Sequence, residues 1–139
     1  MTDLVEFELV SPQRLVKSQT VDMVVVPCAE GDIGVLPGHT PLIGTVRPGV
    51  VNIHDGGKVT ERIFVSGGFV EVTPDRCTLL AEEATLVEDL KADVAQARLD
   101  AANEALQKAG SDLEKSVAAA ELATAEAMLA ATGTGGVAH

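Results

Sequence analysis

The chain has no tryptophan, no tyrosine and only three phenylalanines in 139 residues, and its 10 Lys and Arg face 21 Asp and Glu. Both shortages argue against nucleic-acid binding, which needs a cationic surface to displace phosphate counterions and usually aromatic platforms for bases. Long apolar runs are also missing, since no stretch approaches the roughly 18 residues that a membrane span requires. The start, "MTDLVEFELV", is acidic and alternating, without the basic region and apolar block of a signal peptide. The expectation is a soluble chain that stays in the compartment where it is made. Cysteine is limited to Cys28 and Cys77, with no companion Cys or His spacing that would build a zinc site. Two reduced, buried thiols are expected, and a disulfide between them stays open.

What is present divides into two vocabularies. All six prolines, all three phenylalanines and nine of the thirteen glycines lie before residue 82, a stretch with only two alanines, Ala29 and Ala81. From Glu82 onward come 17 alanines in 58 residues, no proline and no aromatic. Strands and tight turns favour the first vocabulary and helices the second, so the break marks a domain boundary near residues 82–88. The expected organisation is an all-β domain, a sandwich or a barrel, over 1–84, an α-helical hairpin over 85–131 and a disordered tail over 132–139.

The first part reads as short strands at close spacing: "VEFELVS", "VDMVVVP", "VVNIH", "KVTERIFVS", "GFVEVT" and "RCTLLA". Asp55-Gly56-Gly57 predicts a tight hairpin, because glycine accepts the positive φ of such a turn. Thr73-Pro74-Asp75-Arg76 predicts a second turn, its corner preset by proline. In the second part, Leu86, Leu90, Val94, Ala97 and Ala101 recur at helical spacing, as do Ala118, Leu122, Ala125 and Leu129. Gly110 separates the two rows, and Ser111 with Glu114 has the spacing of a capping box. Two helices of about five turns each follow, with a shared alanine-rich seam that buries little area per residue.

Candidate chemistry is scarce. Ser66-Gly67-Gly68 resembles a nucleophile elbow, but Phe64 stands where that pattern requires glycine. Gly56-Gly57-Lys58 resembles the end of a P-loop, yet Asn52 and Val59 occupy two of its fixed positions. Glu82-Glu83 and Glu88-Asp89 fit solvated faces and helix starts better than an acid/base pair. His39 lies between Gly38 and Thr40 without a fixed acidic neighbour, and His54 is the other internal histidine, so His39 reads as a structural group. "GDIGVLPGHTPLIGTV", from Gly31 to Val46, is the most unusual stretch. No helix follows to aim its N-terminus at a phosphate, whereas Pro37 and Pro41 stiffen it and Gly31, Gly34 and Gly38 permit turns that a side chain would forbid. Such a loop presents a surface.

"EGDIGVLPGHTPLI", followed by "IFVSGGFVEVTPDRCTLLAEEA", closely resembles the epsilon subunit of bacterial and chloroplast F-type ATP synthases, whose mitochondrial equivalent is called delta. The resemblance spans residues 4 to about 90. It implies a two-sheet β-sandwich and a C-terminal helix pair, in a non-catalytic subunit of the central rotor without a cofactor. The implied partners are the gamma subunit and the c-subunit ring, with the alpha and beta catalytic subunits reached by an extended hairpin. Glu30, Gly31, Asp32, Gly34, Pro37, Gly38, His39 and Pro41 correspond to the region that contacts the ring. Relatives that bind ATP carry a Leu-Asp-x-x-Arg-Ala type of motif where this chain reads Leu90-Lys91-Ala92-Asp93-Val94-Ala95, so Lys91 and Val94 replace the charged pair. From Glu82 onward there are 11 acidic and 4 basic residues, which would repel a nucleotide phosphate and weaken an inhibitory arm. The missing import signal implies a bacterial host and attachment at the cytoplasmic face of its inner membrane. A small ligand sensor is the alternative from another class, and an enzyme a distant third.

Overall fold

The computed structural model describes residues 4–12 and 14–135. They form two compact units, 4–86 and 87–135. The first contains ten strands: β1 (Val5–Ser11), β2 (Arg14–Val21), β3 (Met23–Cys28), β4 (Gly31–Val35), β5 (Leu42–Val46), β6 (Gly49–Asp55), β7 (Lys58–Val65), β8 (Gly68–Val72), β9 (Arg76–Ala81) and β10 (Ala84–Leu86). Hydrogen bonding runs in the order β10-β7-β6-β3-β5-β8-β9-β1-β2, with β4 paired to β3 off this path. The path folds into two layers. Its corner is narrow, because β3 and β5 share a single residue pair, Cys28 with Val46. All neighbours on the path are antiparallel except β1 and β9.

Alternation along each strand explains the layering. Val5, Phe7 and Leu9 of β1, Cys77, Leu79 and Ala81 of β9, and Val24 and Val26 of β3 point inward and are buried with Val51, Ile53, Ile63 and Val65. The last strand of the path, β2, is tied across the sandwich to β7 by an ion pair between Lys17 and Glu61. Both expected turns form. Gly56 and Gly57 hold φ of +64° and +81° between β6 and β7, and the Gly56 N–H donates to the Asp22 carboxylate at 2.7 Å. Between β8 and β9 the Thr73 N–H donates to the Arg76 carbonyl at 2.8 Å.

Ser66-Gly67-Gly68 is a close backbone crossing. Gly68 has φ +146°, and a Cβ there would lie 1.8 Å from the Leu80 carbonyl oxygen. The Ser66 hydroxyl accepts the Glu83 N–H at 3.0 Å while the Ser66 N–H donates to the Glu83 carbonyl at 3.2 Å. The triplet therefore fastens β7 to the segment entering β10.

The second unit holds one 3-10 turn, Val87–Asp89, and two helices, α1 (Ala92–Lys108) and α2 (Asp112–Gly135). Here several expectations change. Ala84–Leu86 pairs with β7 as β10, so Leu86 is a strand residue and strand structure runs past 84. On α1 the buried positions are Ala95 and Ala102, with Arg98, Leu99 and Leu106 partly covered, whereas Val94, Ala97 and Ala101 are exposed. The buried face is thus one residue out of step with the expected row, because Leu99 and Leu106 supply more apolar area than the alanines beside Val94. On α2 the expected row holds: Ala118 and Ala125 are buried, and Leu122 and Leu129 partly so. The capping box forms, with the Ser111 hydroxyl accepting the Glu114 N–H and the Glu114 carboxylate accepting the Ser111 N–H, each at 3.1 Å. Arg98 bridges to Glu121 of α2 through Nε and Nη2 at 3.0 and 2.8 Å. Helix α2 continues through Gly135, so 132–135 are helical where a disordered tail was expected; the rest of that tail, 136–139, lies outside the described residues.

Cys28 and Cys77 are free thiols, both buried. Burial pushes both above the ordinary value of 9.0, Cys77 to about 12, with the nearby Cys28 adding to the shift in Cys77. The folded state therefore disfavours the thiolate, and this contribution is complete below pH 9 and lost as pH rises toward 12. Two outcomes are expected. Urea unfolding of the protein minus that of Cys77→Ala should show a fall of up to about 1.4 kcal/mol per pH unit above pH 9. Gly68→Ala should cost about 3 kcal/mol or more in the same measurement, because neither its φ nor the Leu80 carbonyl admits a side chain.

Candidate functional site

The unusual stretch folds as two separate tips of the sandwich. The first is the hairpin between β3 and β4, where Cys28 pairs with Gly31 and Pro27 with Asp32. Gly31 turns the chain with φ +132°, and Glu30, Gly31 and Asp32 are exposed. Among the described residues β4 is bonded along one edge only, to β3. Between this hairpin and β5 runs a groove of about 400 Å³, lined by 28–33 on one side and 42–45 on the other.

The second tip is the turn Leu36-Pro37-Gly38-His39, closed by the His39 N–H donating to the Leu36 carbonyl at 3.1 Å. Pro37 occupies the first corner and Gly38, with φ +83°, the second, as a type II turn demands. The Gly38 N–H donates to the Pro74 carbonyl at 2.6 Å, which anchors the turn to the β8–β9 connection. His39 Nδ1 donates to the Thr40 carbonyl at 2.7 Å, and Pro41 leads into β5. Glu30, Gly31 and Asp32 therefore share the groove, while Pro37, Gly38, His39 and Pro41 form the stiff turn and line no part of it. Gly34 sits mid-strand on β4, where a Cβ would be 3.4 Å from Met23 Sδ.

The two acidic residues differ. Asp32 accepts from Arg47 Nη2 at 2.6 Å, whereas Glu30 has no ion-pair partner among the described residues. The groove therefore offers one uncompensated negative charge.

A second surface was not legible beforehand. Pairing places Thr45 opposite Phe69, Phe69 opposite Leu80, Leu80 beside Val10 and Val10 opposite Leu15. These residues form one row on the outer face of five strands. Phe69, Leu80 and Leu15 are 59%, 52% and 55% exposed, and Ile43, two residues before Thr45 on the same face, is 75% exposed. A hollow of about 250 Å³ opens in this row, lined by Val10, Ser11, Pro12, Gly68, Phe69, Leu80, Ala81 and Glu82. Exposed apolar side chains in contiguous order mark an interaction face more than scattered ones would. The groove and the row meet at β5, through Ile43 and Thr45.

No group of three or more His, Cys, Asp or Glu among the described residues could hold a metal. The degenerate motif falls where α1 begins: Leu90 precedes it, Lys91 is the N-cap without a side-chain cap, Val94 is half exposed and Ala95 is buried. No helix of the described residues is long and apolar enough to cross a membrane.

Known proteins agree with this architecture. The family described as ATP synthase, Delta/Epsilon chain, beta-sandwich domain matches residues 4–87. An ATP synthase epsilon chain of Paramagnetospirillum magneticum is 58% identical over 96 residues, covering 69% of this chain and 72% of its own. The epsilon chain of Rhodospirillum rubrum is 62% identical over 84 residues, covering 60% of this chain and 63% of its own, so the match falls short of two thirds of that relative. In fold, the chain resembles one in the OSCP/F1/c-ring structure of the Euglena gracilis mitochondrial ATP synthase, with TM-score 0.78 at 23% identity over 92% of this chain and 81% of that one. A second, from a Tetrahymena thermophila mitochondrial ATP synthase central stalk and c-ring, gives 0.70 at 16% identity over 92% and 96%. With the sandwich matched from end to end and close relatives named alike, the chain belongs to the delta/epsilon family of ATP synthase subunits.

Proposed function

We propose that the protein is the epsilon-type subunit of an ATP synthase central stalk, a non-catalytic rotor part that joins gamma to the c-ring and so couples proton flow to ATP synthesis. The observation that carries this reading is the pairing of a stiff, glycine-shaped rim with an exposed apolar row on one small sandwich of the epsilon family. A rotor part must transmit torque through surfaces that do not yield. Proline-fixed backbone and a pinned hairpin suit that need, because little conformational entropy is left to lose on docking.

The two surfaces suit two partners. The rim of Glu30, Gly31, Asp32, Gly34, Pro37, Gly38, His39 and Pro41 is assigned to the c-ring, with Glu30 facing basic or polar groups. The row of Phe69, Leu80, Val10 and Leu15 is assigned to gamma, since apolar area supplies the driving force of a lasting interface. In this reading the subunit lies at the cytoplasmic face of a bacterial inner membrane, held there through the complex. The hairpin adds little inhibition of ATP hydrolysis: from Glu82 onward 4 basic residues stand against 11 acidic ones, and Ala118 to Ala131 contains none. Lys91 and Val94 in place of the motif's charged positions leave no expected nucleotide site.

Substitutions should separate the two surfaces. Leu80→Glu should abolish co-purification with gamma while the free chain melts normally. Glu30→Lys should leave gamma binding intact and reduce ATP-driven proton pumping of the reconstituted complex several-fold. Loss of gamma binding in Glu30→Lys, or normal pumping, would contradict the assignment. Truncation after Leu86 should change ATP hydrolysis of the complex less than about twofold, and a several-fold rise would show the hairpin to be an effective brake.

A further inference from the structure

We infer that Arg47 is a positioning residue that fixes the aim of the β3–β4 tip, and that Asp32, although it lies on the rim, gives its carboxylate to this internal clamp and leaves Glu30 as the charge offered to the partner. The inference rests on the reading of that tip as a docking surface.

Three bonds run from Arg47 to the hairpin. Its N–H donates to the Pro27 carbonyl at 2.9 Å, Nη1 donates to the Cys28 carbonyl, and Nη2 donates to the Asp32 carboxylate at 2.6 Å. A fourth bond beside them, from the Ala29 N–H to the Thr45 carbonyl at 2.8 Å, joins the same two segments. The rest of the hairpin has no such support: β4 pairs only with β3, and Gly31 and Gly34 flank Asp32 and Ile33. Without Arg47 the tip would pivot about its one bonded edge.

The neighbours of Arg47 are built for the task. Pro48 restricts the preceding residue to extended backbone, which aims the arginine. Gly49 removes the obstacle behind it, because a Cβ there would lie 3.1 Å from Pro27 Cβ. Arg47-Pro48-Gly49 therefore closes tightly on Pro27-Cys28 and sends a planar fork across to one carbonyl and one carboxylate. A lysine in its place would reach one acceptor at a time. Exposed ion pairs are worth little as stability, and this one, with Arg47 43% and Asp32 59% exposed, is no exception. Its effect is geometric: it decides where Glu30 points, and it neutralises the only other charge on the tip.

The test uses the ATP synthase reconstituted with a chain that carries Glu30→Cys in a Cys28→Ala background and is labelled before assembly with a photoactivatable thiol reagent, which the fully buried Cys77 does not take up. In the parent background the label should join the c-ring. Adding Arg47→Ala to that background should lower the yield of the product about five-fold, and Arg47→Ala in the protein that keeps Glu30 should lower ATP-driven proton pumping to a similar extent, with gamma co-purification and the melting temperature of the free chain unchanged. Arg47→Lys should fall between the two. Asp32→Asn should reproduce the loss and add nothing further on top of Arg47→Ala. Normal crosslinking and pumping in Arg47→Ala, additive losses in the double variant, or a parallel loss of melting temperature and gamma binding would each overturn the clamp while leaving the rim assignment in place. Failure of the label to reach the ring in the parent would remove the rim assignment and the clamp with it.

Discussion

The corner at β3 is the constraint on which the rest of the sandwich hangs. Two layers of strands meet there through one residue pair, Cys28 with Val46, reinforced by the backbone bonds from Ala29 to Thr45 and from Arg47 to Pro27. A corner so narrow lets the sheet turn sharply enough to close on a core of Val, Ile, Leu and Phe. It also leaves the strands on either side splayed, and the groove between 28–33 and 42–45 is that splay. The candidate site is thus a by-product of how the layers are joined.

From this corner the division of labour between the surfaces follows. The rim is polar and glycine-rich, held at the Pro37-Gly38 turn by backbone bonds and at the β3–β4 tip by the bonds from Arg47, so little conformational freedom is left to lose on docking. The outer row is apolar and makes its contribution only when covered. A non-catalytic subunit needs nothing more than such surfaces and a scaffold that does not deform between them. The scaffold is correspondingly cross-tied, by the Lys17–Glu61 ion pair at one side and by the Ser66–Glu83 bonds at another.

The sequence disclosed what depends on neighbours in the chain. The Asp55-Gly56-Gly57 hairpin, the Thr73–Arg76 turn, the Ser111–Glu114 capping box and the stiffness of Pro37-Gly38 are each set by a few consecutive residues. The matched family motifs supplied the fold as a whole. What stayed hidden depends on register or on distance. Phe69, Leu80, Val10 and Leu15 are unremarkable alternations within four separate strands, and only pairing lines them up. Arg47 and Asp32 are fifteen residues apart and meet across the corner, so the sequence showed Asp32 only as part of the ring-contact region and gave no sign of its pairing. The buried face of α1 was misplaced by one residue because alanine marks several faces of an Ala-rich helix equally well. Leu86 fitted a helical period but was claimed by a strand edge.

The single bonded edge of β4 has one more consequence. Its other edge is an open row of backbone groups, the kind of feature through which sandwiches stack into fibres. Here that edge is five residues long, interrupted by two glycines and guarded by a carboxylate. Short, weakly strand-forming and charged, it is a poor template for a second chain. An edge of this kind stays unattractive to a second copy of the chain even when no partner covers it.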